Sequence, residues 1–320
     1  MTQASELVFK GPVPAELDGQ RLDRALVALV PGISRSRLQQ WLRDGRVQVN
    51  DAVALRVRQP VAAGDVVAVA RPPVATADPL SAQSMALDIV HEDATLLIVN
   101  KPPGLVVHPG AGNPDGTLLN GLLHHAPELA DLPRAGLVHR LDKDTSGLLV
   151  VARTLQAHAT LVAAMQRREI KREYDTVVIG EMISGGTAEF ALGRHPVDRT
   201  RMAVRERGRR AVTHYRIHER WRGFTRLHVQ LETGRTHQIR VHMAALGFPV
   251  LGDPLYGGRQ RWPAGISDAL RATLAGFGRQ ALHACRLTLT HPLDGEQCAW
   301  SAPLPGDMAH LVDILRESNS

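Results

Sequence analysis

The chain has 320 residues, 44% of them apolar and 22% charged, which suits a soluble globular protein with one large core and room for a smaller module. Lys and Arg number 38 against 32 Asp and Glu, giving a formal charge of +6 and a pI near 9.9, so a polyanionic partner is expected. Cys285 and Cys298 are too few for a disulfide scaffold and do not form a C-x-x-C pair, the first eleven residues carry no basic-then-apolar signal, and no apolar run approaches membrane-spanning length. A reducing, cytoplasmic setting away from membranes is the expectation.

From Gly19 onward the pattern is compact. Leu22, Leu26, Leu29 and Val30 share one helical face, Pro31-Gly32 ends that helix, and Ser34 can cap a second one containing Leu38, Trp41 and Leu42 that stops at Gly45. Val47 and Val49 alternate with polar residues up to an Asn50-Asp51 turn, and Val66 to Ala70 reads as a closing strand. Arg21, Arg24, Arg35, Arg37, Arg43 and Arg46 cluster in and around the helices. Charge alone allows these to be a solvated face. Yet Gln20-Arg21-Leu22-Asp23, Ser34-Arg35-Ser36-Arg37-Leu38 and Gly45-Arg46-Val47-Gln48-Val49-Asn50 resemble the alpha-L RNA-binding domain shared with a small-subunit ribosomal protein, which implies that the helix pair reads structured RNA by shape and backbone charge.

Residues 71–86 lose periodicity and gain Pro, Ala and Ser, so the expected division is a first domain at 1–70 (core about 19–70), a linker at 71–86 and a second domain at 87–320. Strand-like segments at Leu87–Val90 and Leu96–Asn100 open the second domain, followed by a Lys101-Pro102-Pro103-Gly104 turn. The glycine-rich stretch His108 to Gly116 lacks the spacing and the lysine of a phosphate loop and contains Pro114, so it reads as a structured loop.

Next comes His139-Arg140-Leu141-Asp142-Lys143-Asp144-Thr145-Ser146-Gly147, a polar loop between the apolar runs Gly136-Leu137-Val138 and Leu148 to Val151, so two strand-like segments are expected to flank it. A calcium loop is excluded because its twelfth position is Arg153 where a bidentate Glu belongs. Two readings stay open from the residues alone: a polar turn with Gly147 at a special backbone angle, or a catalytic aspartate held ionised by an arginine.

Farther on, Leu155 to Arg168 has helical spacing, Ile170 to Gly180 alternates as a strand, and Ala211–Glu219, Thr225–Glu232 and Ala281–Thr290 alternate as well. Loops rather than regular helices join them, so a mixed or mostly antiparallel sheet follows. The basic run Arg194 to Arg210, with Arg199 and Arg201, suits phosphate contact. His237 and His242 are five apart, a poor spacing for a helical metal face, and no metal is expected. Gly252-Asp253-Pro254-Leu255-Tyr256-Gly257 is turn chemistry, and a strand near Cys298–Ala302 and a helix from Asp307 to about Glu317 close the chain.

The central loop, Arg172-Glu173-Tyr174 and Gly234-Arg235-Thr236-His237-Gln238-Ile239-Arg240-Val241-His242 together resemble the pseudouridine synthases that modify large-subunit ribosomal RNA, nearest to their D-type branch, over almost the whole chain. The one departure in the central motif is Ser146, where threonine is common. The resemblance implies an α+β protein, the alpha-L domain followed by a catalytic domain with a long, mixed, mostly antiparallel sheet flanked by helices, working as a cofactor-free monomer. It implies uridine-to-pseudouridine isomerisation, with clustered uridines in a 23S stem-loop as substrate in free RNA or a pre-ribosomal particle. It assigns Asp142 as nucleophile or base, Arg235 as its ion-pair partner, Tyr174 as the ring stacked on uracil, and Arg140 among the RNA contacts. The rivals are a synthase for transfer RNA or other ribosomal sites, and a non-catalytic RNA-binding protein.

Overall fold

A computed structural model describes residues 7–31, 33, 35–54, 56–70, 81–110, 112–258, 262–263 and 265–318, without the side chains of 35–37. The proposed Ser34 cap, most of the proposed linker and the side chains of Arg35 and Arg37 lie outside the described residues. Two compact units emerge, Met1–Asp78 and Pro79–Ser320.

In the first unit, β1 (Leu7–Pro12), β2 (Val47–Val49), β3 (Ala52–Val53) and β4 (Val66–Ala70) form an antiparallel sheet in the order β1-β4-β2-β3, accompanied by α1 (Leu22–Leu29) and α2 (Arg35–Arg43). Asn50 and Asp51 both take positive φ, 53° and 61°, the geometry a two-residue hairpin needs to match strand twist. Of the expected apolar face, Leu22, Leu26 and Val30 are buried with Leu38, Trp41 and Leu42 and with Val47, Val67 and Val69, and Leu29 packs partly buried against them. Arg21 is tied to the buried Asp23 at 3.0 Å, whereas Arg24 and Arg43 are exposed.

The second unit is built on a nine-stranded sheet. Its strands are β5 (Ile89–Glu92), β6 (Leu96–Lys101), β7 (Ser146–Ala152), β8 (Lys171–Ile179), β9 (Gly186–Glu189), β12 (Val212–Trp221), β13 (Phe224–Leu231), β14 (Leu282–Thr290) and β15 (Gln297–Ser301); β10 (Leu192–Arg194) and β11 (Met202–Val204) make a separate hairpin. The order is β5-β6-β7-β14-β8-β13-β12-β9, with β15 on the outer part of β14; among the described residues β7 and β14 are the pair that runs parallel. The mixed, mostly antiparallel sheet expected above is therefore present, and helices cover both of its faces. Period two divides the central strands between two cores: Leu97, Val99, Leu149 and Val151 pack with α3 (Leu118–His125), while Leu96, Ile98, Leu148 and Val150 pack with α4 (Leu155–Arg167). The last element, α7 (Gly306–Glu317), is tied by Arg316 to Glu219 of β12. The remaining helices are α5 (Gln238–Ala245) and α6 (Asp268–Ala275), both between β13 and β14.

One local expectation fails. Only the segment after the central loop is a strand. Before it, residues 133–136 form a short turn in which Arg134 and Ala135 are left-handed, and Leu137 makes a single bridge to Val151. Gly136 explains this: its φ is +76° and a Cβ there would lie 2.0 Å from the Ala152 carbonyl oxygen, so the chain crosses the end of β7 at backbone contact instead of pairing along it.

Candidate active site

The loop that carries Asp142 is fixed from several sides. Gly147, the second residue of β7, has φ +112°, and a Cβ there would meet the backbone of Ala284 at 2.3 Å, so glycine is what lets β7 lie against β14. The Ser146 hydroxyl hydrogen-bonds His283 Nδ1 at 2.9 Å, Gln280 donates to the Thr145 hydroxyl at 3.1 Å, and Arg279 donates to the Asp144 carbonyl at 3.1 Å. Lys101 ends β6 with its side chain wholly buried, donating to the carbonyls of Pro102 (2.7 Å), Leu105 (2.9 Å) and Lys143 (2.8 Å). Burial brings this ammonium down to about 7, against the pull of Asp144 and Asp142. The lysine read as part of a simple turn is thus a clamp across the loop.

Asp142 faces a cavity of about 270 Å³, lined among others by His139, Arg172, Tyr174, Gly234, Arg235 and Arg240. This is smaller than the ~300–1,000 Å³ typical of drug-sized pockets, and of a scale for one base. Tyr174, on β8, is 4% exposed, and burial pushes its phenol pKa up, so the ring is an uncharged apolar wall with a polar tip.

The guanidinium beside Asp142 belongs to Arg240, not Arg235. Arg240 Nη1 donates to Asp142 Oδ2 at 3.0 Å, while its Nε and Nη2 make a fork on Asp253 at 2.7 and 2.8 Å. Burial opposes the Arg240 charge, but the two carboxylates outweigh it and raise its pKa. Arg235 also lines the cavity, yet it precedes α5, and its Nε donates to the Arg210 carbonyl at 3.2 Å. Burial and the neighbouring Arg209 and Arg168 lower its pKa, the signature of a cation among cations. The correction has a simple cause: Arg240 stands inside the first turn of α5 and points into the protein, whereas Arg235 sits in the turn before it.

Asp253 and Tyr256, assigned from sequence to a plain turn, complete the support. The Asp253 side chain is fully buried and also accepts from the Leu255 and Tyr256 amides at 2.9 and 3.0 Å. Tyr256 lies under two guanidinium groups, Arg240 at 5.1 Å and Arg201 at 5.3 Å from its ring centre. Its hydroxyl accepts from the Met202 amide and hydrogen-bonds His237 Nδ1, both at 2.8 Å. His237 takes φ 55° at the start of α5, and its Nε2 is 3.8 Å from Asp142 Oδ1. Burial lowers its pKa despite Asp142, so the ring is neutral at pH 7.

Of the proposed RNA contacts, Arg140 is exposed at the cavity rim and Arg199 is exposed at the β10–β11 hairpin, whereas Arg201 is half-buried against Tyr256. Arg46 is half-buried in the first unit. Among the described residues no cluster of three His, Cys, Asp or Glu side chains is placed to hold a metal ion, and no helix is long and apolar enough to cross a membrane.

Residues 95–245 match the RNA pseudouridylate synthase family, and residues 20–67 match the S4 domain. Ribosomal large subunit pseudouridine synthase D of Escherichia coli strain K12 is 54% identical over 298 residues, 93% of this chain and 91% of that protein. The protein of the same name from Yersinia pestis is 54% identical over 313 residues, 98% of this chain and 96% of its own. Among solved structures, human RNA Pseudouridylate Synthase Domain Containing 4 superposes with a TM-score of 0.56 at 26% identity, covering 71% of this chain and 92% of that one. An aspartate paired to a guanidinium over a base-sized cavity, and likeness of this extent, lead to one conclusion: the chain belongs to the RNA pseudouridylate synthase family and is an isomerase of uridine in RNA.

Proposed function

We propose that Asp142 is the nucleophile or base of the isomerisation, that Tyr174 stacks on the extruded uracil, and that Arg240 rather than Arg235 keeps Asp142 ionised. The observation that carries this is the Asp142 carboxylate, held 3.0 Å from Arg240 and open to a cavity whose other walls include Tyr174. Isomerisation breaks the C1′–N1 bond, turns the base and rejoins it through C5, so a closed pocket must retain a free uracil. No redox partner or energy source enters that balance, and the protein works without a cofactor. Extruding a stacked uridine costs a few kcal/mol, offset by phosphate contacts. Arg140 and Arg235 at the cavity and Arg199 on the basic hairpin supply such contacts, and Arg21, Arg24, Arg35, Arg37, Arg43 and Arg46 of the S4 unit hold structured RNA.

The substrate is large-subunit ribosomal RNA, at clustered uridines in one 23S stem-loop, taken by a monomeric cytoplasmic enzyme as free RNA or in a pre-ribosomal particle. Support comes from the names of relatives that match more than nine-tenths of the chain. The test is to incubate the pure protein, with nothing added, on deproteinised large-subunit RNA and on transfer RNA, then map pseudouridine. Conversion confined to the large-subunit RNA, lost in Asp142→Asn while RNA binding persists, is expected. Conversion of transfer RNA instead would move the substrate, and full activity in Asp142→Asn would remove Asp142 from the chemistry.

A further inference from the structure

Arg172 is the buried cation of this site that no anion claims. It is 7% exposed, it lines the cavity, its Nε has no hydrogen-bond partner, and among the described residues its guanidinium makes no ion pair. Every other buried arginine of the unit has a partner: Arg240 holds Asp253 and Asp142, Arg226 holds Asp175 and Glu219, and Arg279 holds Asp307. Burying a charge without a counter-charge is costly, and a catalytic or binding role is one of the reasons a native structure keeps such a group. The seat is shaped for it. A Cβ on Gly234 would lie 2.4 Å from Arg172 Nη1, so glycine there leaves the room that the guanidinium fills. Arg172 lies two residues before Tyr174 on β8, hence on the same face of the strand, and is close enough to His139 and Tyr174 for its charge to act on both.

Resting on the reading that Asp142 and Tyr174 enclose the extruded uridine, we propose that Arg172 donates hydrogen bonds to a uracil carbonyl oxygen and stabilises the negative charge that the base acquires when it leaves the sugar. Breaking C1′–N1 leaves the bonding pair on the base as a uracil anion spread over N1, O2 and O4. Rejoining spends a pair from the ring in the new C1′–C5 bond, C5 gives up its proton and N1 gains one, so atoms and electrons balance with no oxidant. Whether Asp142 first attacks the sugar, attacks C6 of the base or removes a sugar proton, the uracil oxygens become more negative on the way, and a guanidinium already stripped of water meets that charge without reorganising. A backbone phosphate is the less fitting ligand, because exposed Arg140, with Arg235, offers it a solvated cation at the same cavity.

The experiment compares wild type with Arg172→Gln in single turnovers on a large-subunit RNA fragment carrying uridine or 5-fluorouridine, with Tm measured alongside. The fluorinated base is the better-stabilised anion and needs less help to depart. Expected are a loss of about 100-fold in the cleavage rate on uridine, the scale of removing one oxyanion donor, at least tenfold less loss on 5-fluorouridine, and a Tm unchanged or raised. Equal losses on the two substrates would overturn the proposal. So would a cleavage rate within threefold of wild type, or unchanged cleavage with weaker, more salt-sensitive RNA binding, which is how a phosphate contact behaves. Should Arg172→Gln not fold, Gly234→Ala displaces the same guanidinium at unchanged charge and is judged by the same ratio. A wild-type protein that leaves uridine untouched would instead break the reading of the substrate, and is distinguishable because it precedes any comparison of variants.

Discussion

Two buried arginines in the catalytic unit have the same wiring and different ends. Arg240 forks its Nε and Nη2 onto Asp253 and gives Nη1 to Asp142; Arg226 forks Nε and Nη2 onto Asp175 and gives Nη1 to Glu219. At the Arg226 end, Glu219 takes a second guanidinium, with both its oxygens 2.7 Å from Arg316, which also holds Asp313 at 3.2 Å, so the Glu219 carboxylate is shared between two cations. At the Arg240 end, no second guanidinium among the described residues pairs with Asp142, whose next neighbours are a neutral His237 at 3.8 Å and the cavity. Charge-assisted forks are therefore framework in this unit, and the two networks differ in their outer carboxylate: Glu219 is held by two guanidinium groups, whereas Asp142 is held by one and faces the cavity.

The sharpest way to break that comparison is to change both arginines alike. Lysine cannot reproduce a planar fork. Arg240→Lys should lose about a thousandfold in the rate of pseudouridine formation, roughly 4 kcal/mol at the transition state, while Arg226→Lys keeps the wild-type rate per folded molecule. Rapid-quench assays on protein whose folded fraction is set by circular dichroism decide it. Equal rate losses in the two variants would mean that the networks are not functionally distinct.

The carboxylates at the fork give a smaller effect on a different axis. Removing one partner of a buried pair costs about 3–5 kcal/mol. Asp175→Asn and Asp253→Asn should both fall in the lower part of that range in urea titrations. Only Asp253→Asn should also slow catalysis, because Asp253 fixes the guanidinium that faces Asp142 and orders the turn under Tyr256. A catalytic defect in Asp175→Asn as deep as that of Asp253→Asn would show that β8 transmits strain to the cavity and would undo the distinction.

How much of this was legible beforehand follows from the physics of each feature. The amphipathic helices, the alternating strands and the mixed sheet are local periodicities, and the buried sets Leu22/Leu26/Val30 and Leu97/Val99 against Leu96/Ile98 follow from them directly. The motif around Asp142 announces a carboxylate needing a cation, but the string Gly234 to His242 contains two arginines, and spacing cannot say which enters the helix and turns inward. Lys101, Asp253 and Tyr256 sit in segments of turn composition, which is a local signal, while their roles depend on partners elsewhere in the sequence, such as Lys143 for Lys101 and Arg240 for Asp253. The segment before the central loop differs from its strand-like pattern for the same reason: Leu137-Val138 has a strand's composition, but Gly136 lies on the Ala152 carbonyl and turns the chain across β7.

The closed end of the second network carries the mildest prediction, in acid. Arg316 holds the Glu219 carboxyl at about 2, with Arg226 adding to it and burial pulling the other way. The folded value lies below the ordinary 4.5, so the unfolded chain takes up the proton first as pH falls. The contribution of Glu219 is thus complete above about pH 4.5 and drains away between there and pH 2. Glu219→Gln should lower stability at pH 7 by about 1 kcal/mol, the scale of a partly exposed pair, and should flatten the fall of Tm across that acid window. Other carboxylates held low, Asp93 and Asp307 among them, keep part of the slope in the variant. If Tm of Glu219→Gln fell as steeply as wild type from pH 4.5 to 2, Arg316 would contribute nothing to closing the network, and the contrast with Asp142 would have to rest on the cavity alone.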